Sequence, residues 1–227
     1  MAILIDPDKL SVQAILSTVY TANEAGVQMI LVGGSLMSTR IDSTIEIIKK
    51  NSDIPVVLFP GSLMQLSAKA DALLLLSLVS GRNPEYLIGN HVLAAPYIRT
   101  TNLEVIPTGY ILIQGGNVTS VEYISNTRPI PADKKDLIVA TALASEMLGH
   151  KLIYLEAGSG AKIHVSLDVV SEVKRRISIP LIVGGGITSS TIADEILEAG
   201  ADMIVVGTAV EKNVEKINQM MAAIKNY

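Results

Sequence analysis

Short apolar runs alternate with longer amphipathic segments from one end of the chain to the other. The runs are Ala2–Ile5, Met29–Val32, Val56–Phe59, Ala72–Leu76, Ile106–Ile113, Leu152–Leu155, Leu181–Val183 and Met203–Val206. Each carries Leu or β-branched residues at consecutive positions. A strand with one wet face would alternate apolar and polar residues, so these runs predict parallel strands covered on both faces. Helical periodicity falls between them, over Val12–Ala25, Ser43–Asn51, Pro84–Ala94, Lys134–Leu148, Leu167–Ile177, Ser189–Glu198 and Val214–Lys225. Eight strand–helix units in 227 residues predict an α/β chain folded as one (β/α)8 barrel, a single domain over residues 1–227.

Two places break the alternation. Between the third and fourth strands, Ser62–Ala70 has room for only a short helix, so one outer position of the barrel is expected to be a loop. The link from Gly115 to Pro131 is long, carries Arg128-Pro129-Ile130-Pro131 and shows no period. Structured loops of that length on a barrel are often lids or specificity loops. A faint repeat supports the barrel. Ala25-Gly26-Val27-Gln28-Met29-Ile30-Leu31-Val32-Gly33 resembles Ala199-Gly200-Ala201-Asp202-Met203-Ile204-Val205-Val206-Gly207, each with glycine after a helix and after a strand.

Candidate chemistry concentrates at strand ends. Tyr154-Leu155-Glu156-Ala157-Gly158-Ser159-Gly160 closes one strand, Gly184-Gly185-Gly186 follows another, and Gly207-Thr208 follows the last. Glycine lets main-chain N–H groups approach an anion closely. Loops after the last barrel strands are the recurrent phosphate site. Tight turns alone would explain one such loop; three in series predict a phosphate cradle. Alternation puts Leu152, Tyr154 and Glu156 on one strand face, with Ile153 and Leu155 facing the helices. If the first face is the barrel interior, Glu156 stands at the rim as an acid or base; the alternative is a salt bridge to a neighbouring strand.

After the first strand, Asp6-Pro7-Asp8-Lys9 offers hard oxygen donors of the kind Mg²⁺ takes, Asp6 being nearest the strand end. Asp8 is alternatively a helix cap and Lys9 a solvated charge. Gly33-Gly34-Ser35 either carries a hydroxyl toward such a site or simply turns the chain. His91, His150 and His164 lack ligand-like spacing and read as surface or structural.

Bulk composition narrows the class. A net charge of -4 argues against a nucleic-acid binder and means that an anionic substrate must be held locally. With no cysteine there is no disulfide framework and no thiolate ligand or nucleophile. The longest apolar runs are too short to span a bilayer, and Met1 to Asp6 reads as a strand instead of a signal peptide.

Taken together, Leu4 to Lys9, Gly33-Gly34-Ser35, Phe59-Pro60-Gly61, Pro107-Thr108-Gly109-Tyr110, Asn126 to Pro131, Tyr154 to Gly160, Ile182 to Ile187 and Val205 to Glu211 resemble the geranylgeranylglyceryl phosphate synthase family. That family includes the heptaprenylglyceryl phosphate synthases, and the match leans to its second group. The Tyr-Leu-Glu-Ala-Gly-Ser-Gly block is the most specific part. The resemblance implies a barrel whose third helix is replaced by a loop. It implies Mg²⁺-dependent transfer of a prenyl group, geranylgeranyl first and heptaprenyl as the alternative, from a prenyl diphosphate to the 3-hydroxyl of sn-glycerol 1-phosphate. By position, Asp6 and Ser35 would contact Mg²⁺. Tyr154, Leu155, Glu156, Ala157, Gly158, Ser159, Gly160, Gly185, Gly186, Gly207 and Thr208 would bind glycerol phosphate, and Glu156 would take the hydroxyl proton.

The resemblance also implies a cytoplasmic homo-oligomer, dimer or hexamer, with transient membrane contact. The Pro84–Ala94 segment, with Tyr86 and Leu87, is the expected subunit contact. The family usually has a segment before the first strand that helps close the barrel floor. This chain begins almost on that strand, so that segment is expected to be missing or the floor to be closed differently. Two other readings compete: another phosphate-binding barrel enzyme, isomerase or lyase, and a non-catalytic phospholipid- or flavin-phosphate-binding barrel. The lack of a lysine at a mid-barrel strand end counts against Schiff-base chemistry, and Asp6 with Glu156 counts against a non-catalytic role.

Overall fold

A computed structural model describes residues 1–224. Eight parallel strands close into a barrel in sequence order: β1 (Ala2–Ile5), β2 (Met29–Val32), β3 (Val56–Leu58), β4 (Ala72–Leu78), β5 (Glu104–Leu112), β6 (Leu152–Glu156), β7 (Leu181–Gly184) and β8 (Met203–Val206). The barrel closes where β1 pairs with β8, Ala2 opposite Val205 and Ile3 opposite Val206. The helices are α1 (Val12–Ala25), α2 (Ile41–Asn51), α3 (Asn90–Ile98), α4 (Ser120–Ser125), α5 (Lys135–Met147), α6 (Leu167–Arg176), α7 (Ser190–Glu198), α8 (Thr208–Lys212) and α9 (Lys216–Ile224). The last residue expected in the final helix, Lys225, lies outside the described residues.

The apolar runs form strands because both of their faces find apolar partners. Odd residues of β1, Ile3 and Ile5, join Ile30, Val32, Ile153, Leu155, Val183 and Ile204 in the layer packed against the helices. Their neighbours Ala2, Leu31, Leu74, Leu112, Tyr154, Ile182 and Val205 fill the interior. The helices start and stop where local chemistry directs. Ser11 caps α1 through its side chain, accepting from the Ala14 N–H at 3.2 Å, and Ser189 does the same for α7 through Ile192 N–H. Gly26, at φ 78°, ends α1 in the left-handed conformation that a side chain would oppose. Gly200 repeats it at φ 108°, so the two sequence repeats build β2 and β8, the two strands flanking β1.

Between β3 and β4 there is only a single helical turn, Leu63–Gln65, as the weak third unit implied. Three features depart from the sequence pattern. β4 and β5 are longer than expected and pair over seven residues, from Ala72 opposite Glu104 to Leu78 opposite Tyr110. Thr108 to Leu112 of β5 go on to pair with Leu152 to Glu156 of β6, so Leu78, Tyr110 and Tyr154 stand side by side across three strands. The segment Pro84–Ala94 extends further, as a wide turn over Glu85–Gly89 continuing into α3 to Ile98, despite Pro96 near its end. The 115–131 link holds the short helix α4, closed by Asn126 at φ 49° and stitched to β5 through Ile113 and Ile130.

Candidate active site

At the C-terminal end of the barrel one cavity of about 490 Å³ takes in the ends of β1, β2, β6, β7 and β8 and runs on along β4. This is a usual size for a small-molecule cleft. Its two halves differ in character. The half over β6–β8 is built from glycine turns and polar side chains. The half beside β4 is mostly apolar, lined by Leu74, Leu76 and Leu78, by Tyr86 and Ala94, and by Val121 and Ile124 of α4.

Glu156 ends β6 on the interior face it shares with Leu152 and Tyr154, and only 6% of it is exposed. Its carboxylate accepts a 2.6 Å hydrogen bond from the Gly158 N–H, and the Tyr154 and Tyr110 hydroxyls stand near enough to favour its ionised form. Burial pushes its carboxyl up to about 7, against those three donors, which pull it down. Burial likewise drives both phenols well above their ordinary range, with the neighbouring carboxylate adding to it. Phe59, Tyr110 and Tyr154 form one ring cluster beneath the acid, with centroids 5.2–5.9 Å apart. Register makes this arrangement: Tyr110 of β5 stands directly opposite Tyr154 of β6.

Gly185, at φ 82°, lies against the same carboxylate, and any side chain there would run into Glu156 Oε1. Gly186, at φ 70°, passes close to the main chain of His164. Among the described residues, the N–H groups of Ser159, Gly160, Gly185, Gly186 and Thr208 donate to no protein acceptor. Unpaired amides converging on one pocket from three loops, one of them at the start of α8, can hold an anion. The rest of the Tyr154–Gly160 block behaves differently. Leu155 and Ala157 do not border the cavity: Leu155 packs toward the helices, and the Ala157 N–H is taken by the Gly184 carbonyl at 3.0 Å. The Gly158 N–H is spent on Glu156. Within that block the amides left to face an anion are those of Ser159 and Gly160.

Next to the β8 loop, Asp6 follows β1, buried at 6% exposure, against Gly34, where a Cβ would come within 3.1 Å of both its oxygens. Ser35 borders the same cavity. Lys9 Nζ lies 3.1 Å from Asp6 Oδ2 and 3.7 Å from Glu211 Oε1. Burial raises the Glu211 carboxyl; Lys9 opposes this and the Asp6 charge adds to it. Asp8 is not at the site. It binds the N–H groups of Ser38 and Thr39 at 2.6 and 2.9 Å and so anchors the loop after β2.

The donor set suits Mg²⁺. It is all oxygen, and a cationic ammonium already sits between the two carboxylates. Among the described residues no group of three or more His, Cys, Asp or Glu is placed to hold a metal, so a divalent cation here would need phosphate oxygens and water to complete its shell, as Mg²⁺ commonly does.

Sequence reasoning passed over Glu211 and the role of Tyr110. Glu211 stands three residues after Thr208, a spacing that equally describes a helix-capping pair. Tyr110 reaches Glu156 only through the β5–β6 register, which no single-strand pattern encodes. Each histidine reaches a main-chain carbonyl, His91 that of Leu76 at 2.9 Å, His150 that of Ser145 and His164 that of Val165, and His91 also borders the cavity. Tyr86, expected on an outer contact surface, instead packs against the interior cluster and lines the groove.

An anion cradle, a buried acid of near-neutral pKa and an apolar groove at the C-terminal face of a (β/α)8 barrel define a phosphate-handling barrel protein with room for a lipid chain. The sequence profile of the PcrB family matches residues 1–226. A geranylgeranylglyceryl phosphate synthase of Chitinophaga pinensis is 50% identical over 98% of this chain and 89% of its own length. Among solved structures, (S)-3-O-geranylgeranylglyceryl phosphate synthase from Thermoplasma acidophilum, in complex with substrate sn-glycerol-1-phosphate, superposes with a TM-score of 0.94 at 37% identity, covering 100% of this chain and 93% of that one. Thiamine phosphate pyrophosphorylase from Pyrococcus furiosus, at 15% identity and a TM-score of 0.62, shares the fold alone. The chain belongs to the PcrB family. It is an enzyme, a prenyltransferase of the geranylgeranylglyceryl phosphate synthase type.

Proposed function

We propose that this enzyme joins a geranylgeranyl group, carried in as its diphosphate, to the 3-hydroxyl of sn-glycerol 1-phosphate in a Mg²⁺-dependent reaction. The observation that carries the reading is Glu156: a buried carboxylate with its pKa at about 7, in one cavity with both an anion cradle and an apolar groove. The cradle amides and the Ser159 and Thr208 hydroxyls hold the acceptor phosphate, which brings the glycerol 3-hydroxyl toward Glu156. The groove beside α4 receives the prenyl chain, so that its diphosphate end lies toward Asp6. Asp6 and Ser35 would hold Mg²⁺, which when bound would supply neutralising charge for the departing pyrophosphate. The allylic carbon–oxygen bond breaks with its electron pair leaving on pyrophosphate, and the glycerol oxygen bonds to that carbon. Its proton passes to Glu156, whose near-neutral pKa suits a general base at neutral pH. The ring cluster below keeps water from the allylic carbon.

Among the described residues no helix is long and apolar enough to cross a membrane. A lipid product calls for transient contact with a bilayer, and the enzyme is proposed to act in the cytoplasm. The exposed face of the 85–98 segment carries Ile88, Val92, Leu93 and Tyr97, which supports self-association through that surface; light scattering measures it.

The test offers sn-glycerol 1-phosphate and its 3-phosphate enantiomer, each with geranylgeranyl and heptaprenyl diphosphate, with and without Mg²⁺. Ether product is expected from the 1-phosphate with geranylgeranyl diphosphate and Mg²⁺. Absence of product from every combination would overturn the reading, and product with heptaprenyl diphosphate alone would replace the donor.

A further inference from the structure

Lys9 is placed between two anionic neighbourhoods. On one side its ammonium meets Asp6 and Glu211, whose side chains are 9% and 13% exposed. On the other it lies 3.5 Å from Ser159 Oγ, which is itself 3.4 Å from Thr208 Oγ1. Those two hydroxyls belong to the loops whose free amides converge on the cavity. Of the three lysines bordering that cavity, Lys9, Lys212 and Lys216, Lys9 alone among the described residues reaches both acids and a loop hydroxyl. Its own side chain is 46% exposed and sits on a long flexible stem with three donors, so it can turn from one side to the other without moving the backbone.

We infer that Lys9 is a binding residue for the acceptor's phosphate, parked on Asp6 and Glu211 until that phosphate arrives. The inference rests on the functional reading above. A phosphate lying against the Ser159 and Thr208 hydroxyls brings two negative charges within reach of an ammonium already at that edge. Amides alone orient the anion but leave its charge uncompensated, and the chain's net charge of -4 offers no help at long range. The ammonium supplies a charge-assisted hydrogen bond to it. The move also removes a positive charge from beside Asp6, which would favour a divalent cation at that carboxylate. A lysine that merely tied the two acids together would instead serve the donor side of the site.

Titration calorimetry of sn-glycerol 1-phosphate into the full chain, paired with separate KM values for the two substrates, tests this. Lys9→Met is expected to weaken acceptor binding and raise acceptor KM about tenfold, the loss expected for one charge-assisted contact at a half-exposed site, and to leave donor KM within about twofold. Lys9→Arg keeps the charge and should recover most of the affinity. Lys9→Gln carries the same comparison if Lys9→Met does not fold. Unchanged acceptor affinity in a folded variant, or a loss confined to donor KM, would overturn the role of Lys9 while the wild type still binds and turns over. Failure of the wild type to bind sn-glycerol 1-phosphate would overturn both this role and the functional reading.

Discussion

The N–H of Gly158 donates a 2.6 Å hydrogen bond to the carboxylate of Glu156, two residues back along the same chain. The turn that opens the anion loop is therefore the turn that aims the acid. Base and cradle form one rigid piece, and a change in either is felt by the other.

The pH profile follows from that piece. Glu156 must be ionised to take a proton, so activity should rise with pH through about 7 and fall away on the acid side. The Tyr110 hydroxyl favours the ionised form and helps hold the pKa down. Tyr110→Phe should therefore shift the acid limb of kcat to higher pH. An unmoved limb would remove Glu156 as the titrating group.

Stability should respond in the opposite sense. Between pH 4.5 and about 7 the unfolded chain has lost the Glu156 proton while the folded chain keeps it. The folded state binds more protons across that window, so unfolding free energy falls as pH rises, by about 3 kcal/mol in total. Denaturant unfolding at pH 5 and pH 7.5 measures this. Glu156→Gln should flatten the slope; an equally steep slope in that variant would assign it elsewhere.

Gly185→Ala probes the close approach. The positive φ alone should cost about 1–2 kcal/mol. The added Cβ would also meet Glu156 Oε1, with Gly158 N 2.6 Å away, so the acid must shift. Gly160→Ala is the control: its φ is also positive, at 73°, but nothing lies within 4 Å. Thermal melts should fall for both, and turnover should fall much further for Gly185→Ala. Equal turnover in the two variants would contradict the contact.

Asp6→Asn should weaken the Mg²⁺ dependence and raise the KM of the diphosphate donor, with acceptor affinity changed little. A metal titration identical to wild type would reject Asp6 as the metal-binding carboxylate.

Much of this was legible in the chain because it is local. Consecutive apolar residues demand two covered faces, and i, i+2 alternation puts Tyr154 and Glu156 on one of them, although only the closed barrel makes that face the interior. Glycines at strand ends point to the loops, although not to which amides remain free. That depends on partners distant in sequence: Gly184 claims the Ala157 N–H, and Glu156 claims that of Gly158. The lengths of β4 and β5 are also non-local, since each is set by the pairing of Ala72 to Leu78 with Glu104 to Tyr110. α4 is six residues long, too short for a period to register, yet Val121 and Ile124 help line the groove. Tyr86 read as an outer contact because its place on the helix says nothing about the wide turn that swings it inward.

The central claim, that Glu156 takes the acceptor's proton and does not merely hold the acceptor, is tested most directly by Glu156→Gln, with turnover and sn-glycerol 1-phosphate affinity measured on the same preparation. The account predicts turnover down by roughly 10²–10⁴ with affinity within a few-fold of wild type. Turnover equal to wild type, or a loss of activity matched by an equal loss of affinity, would contradict it.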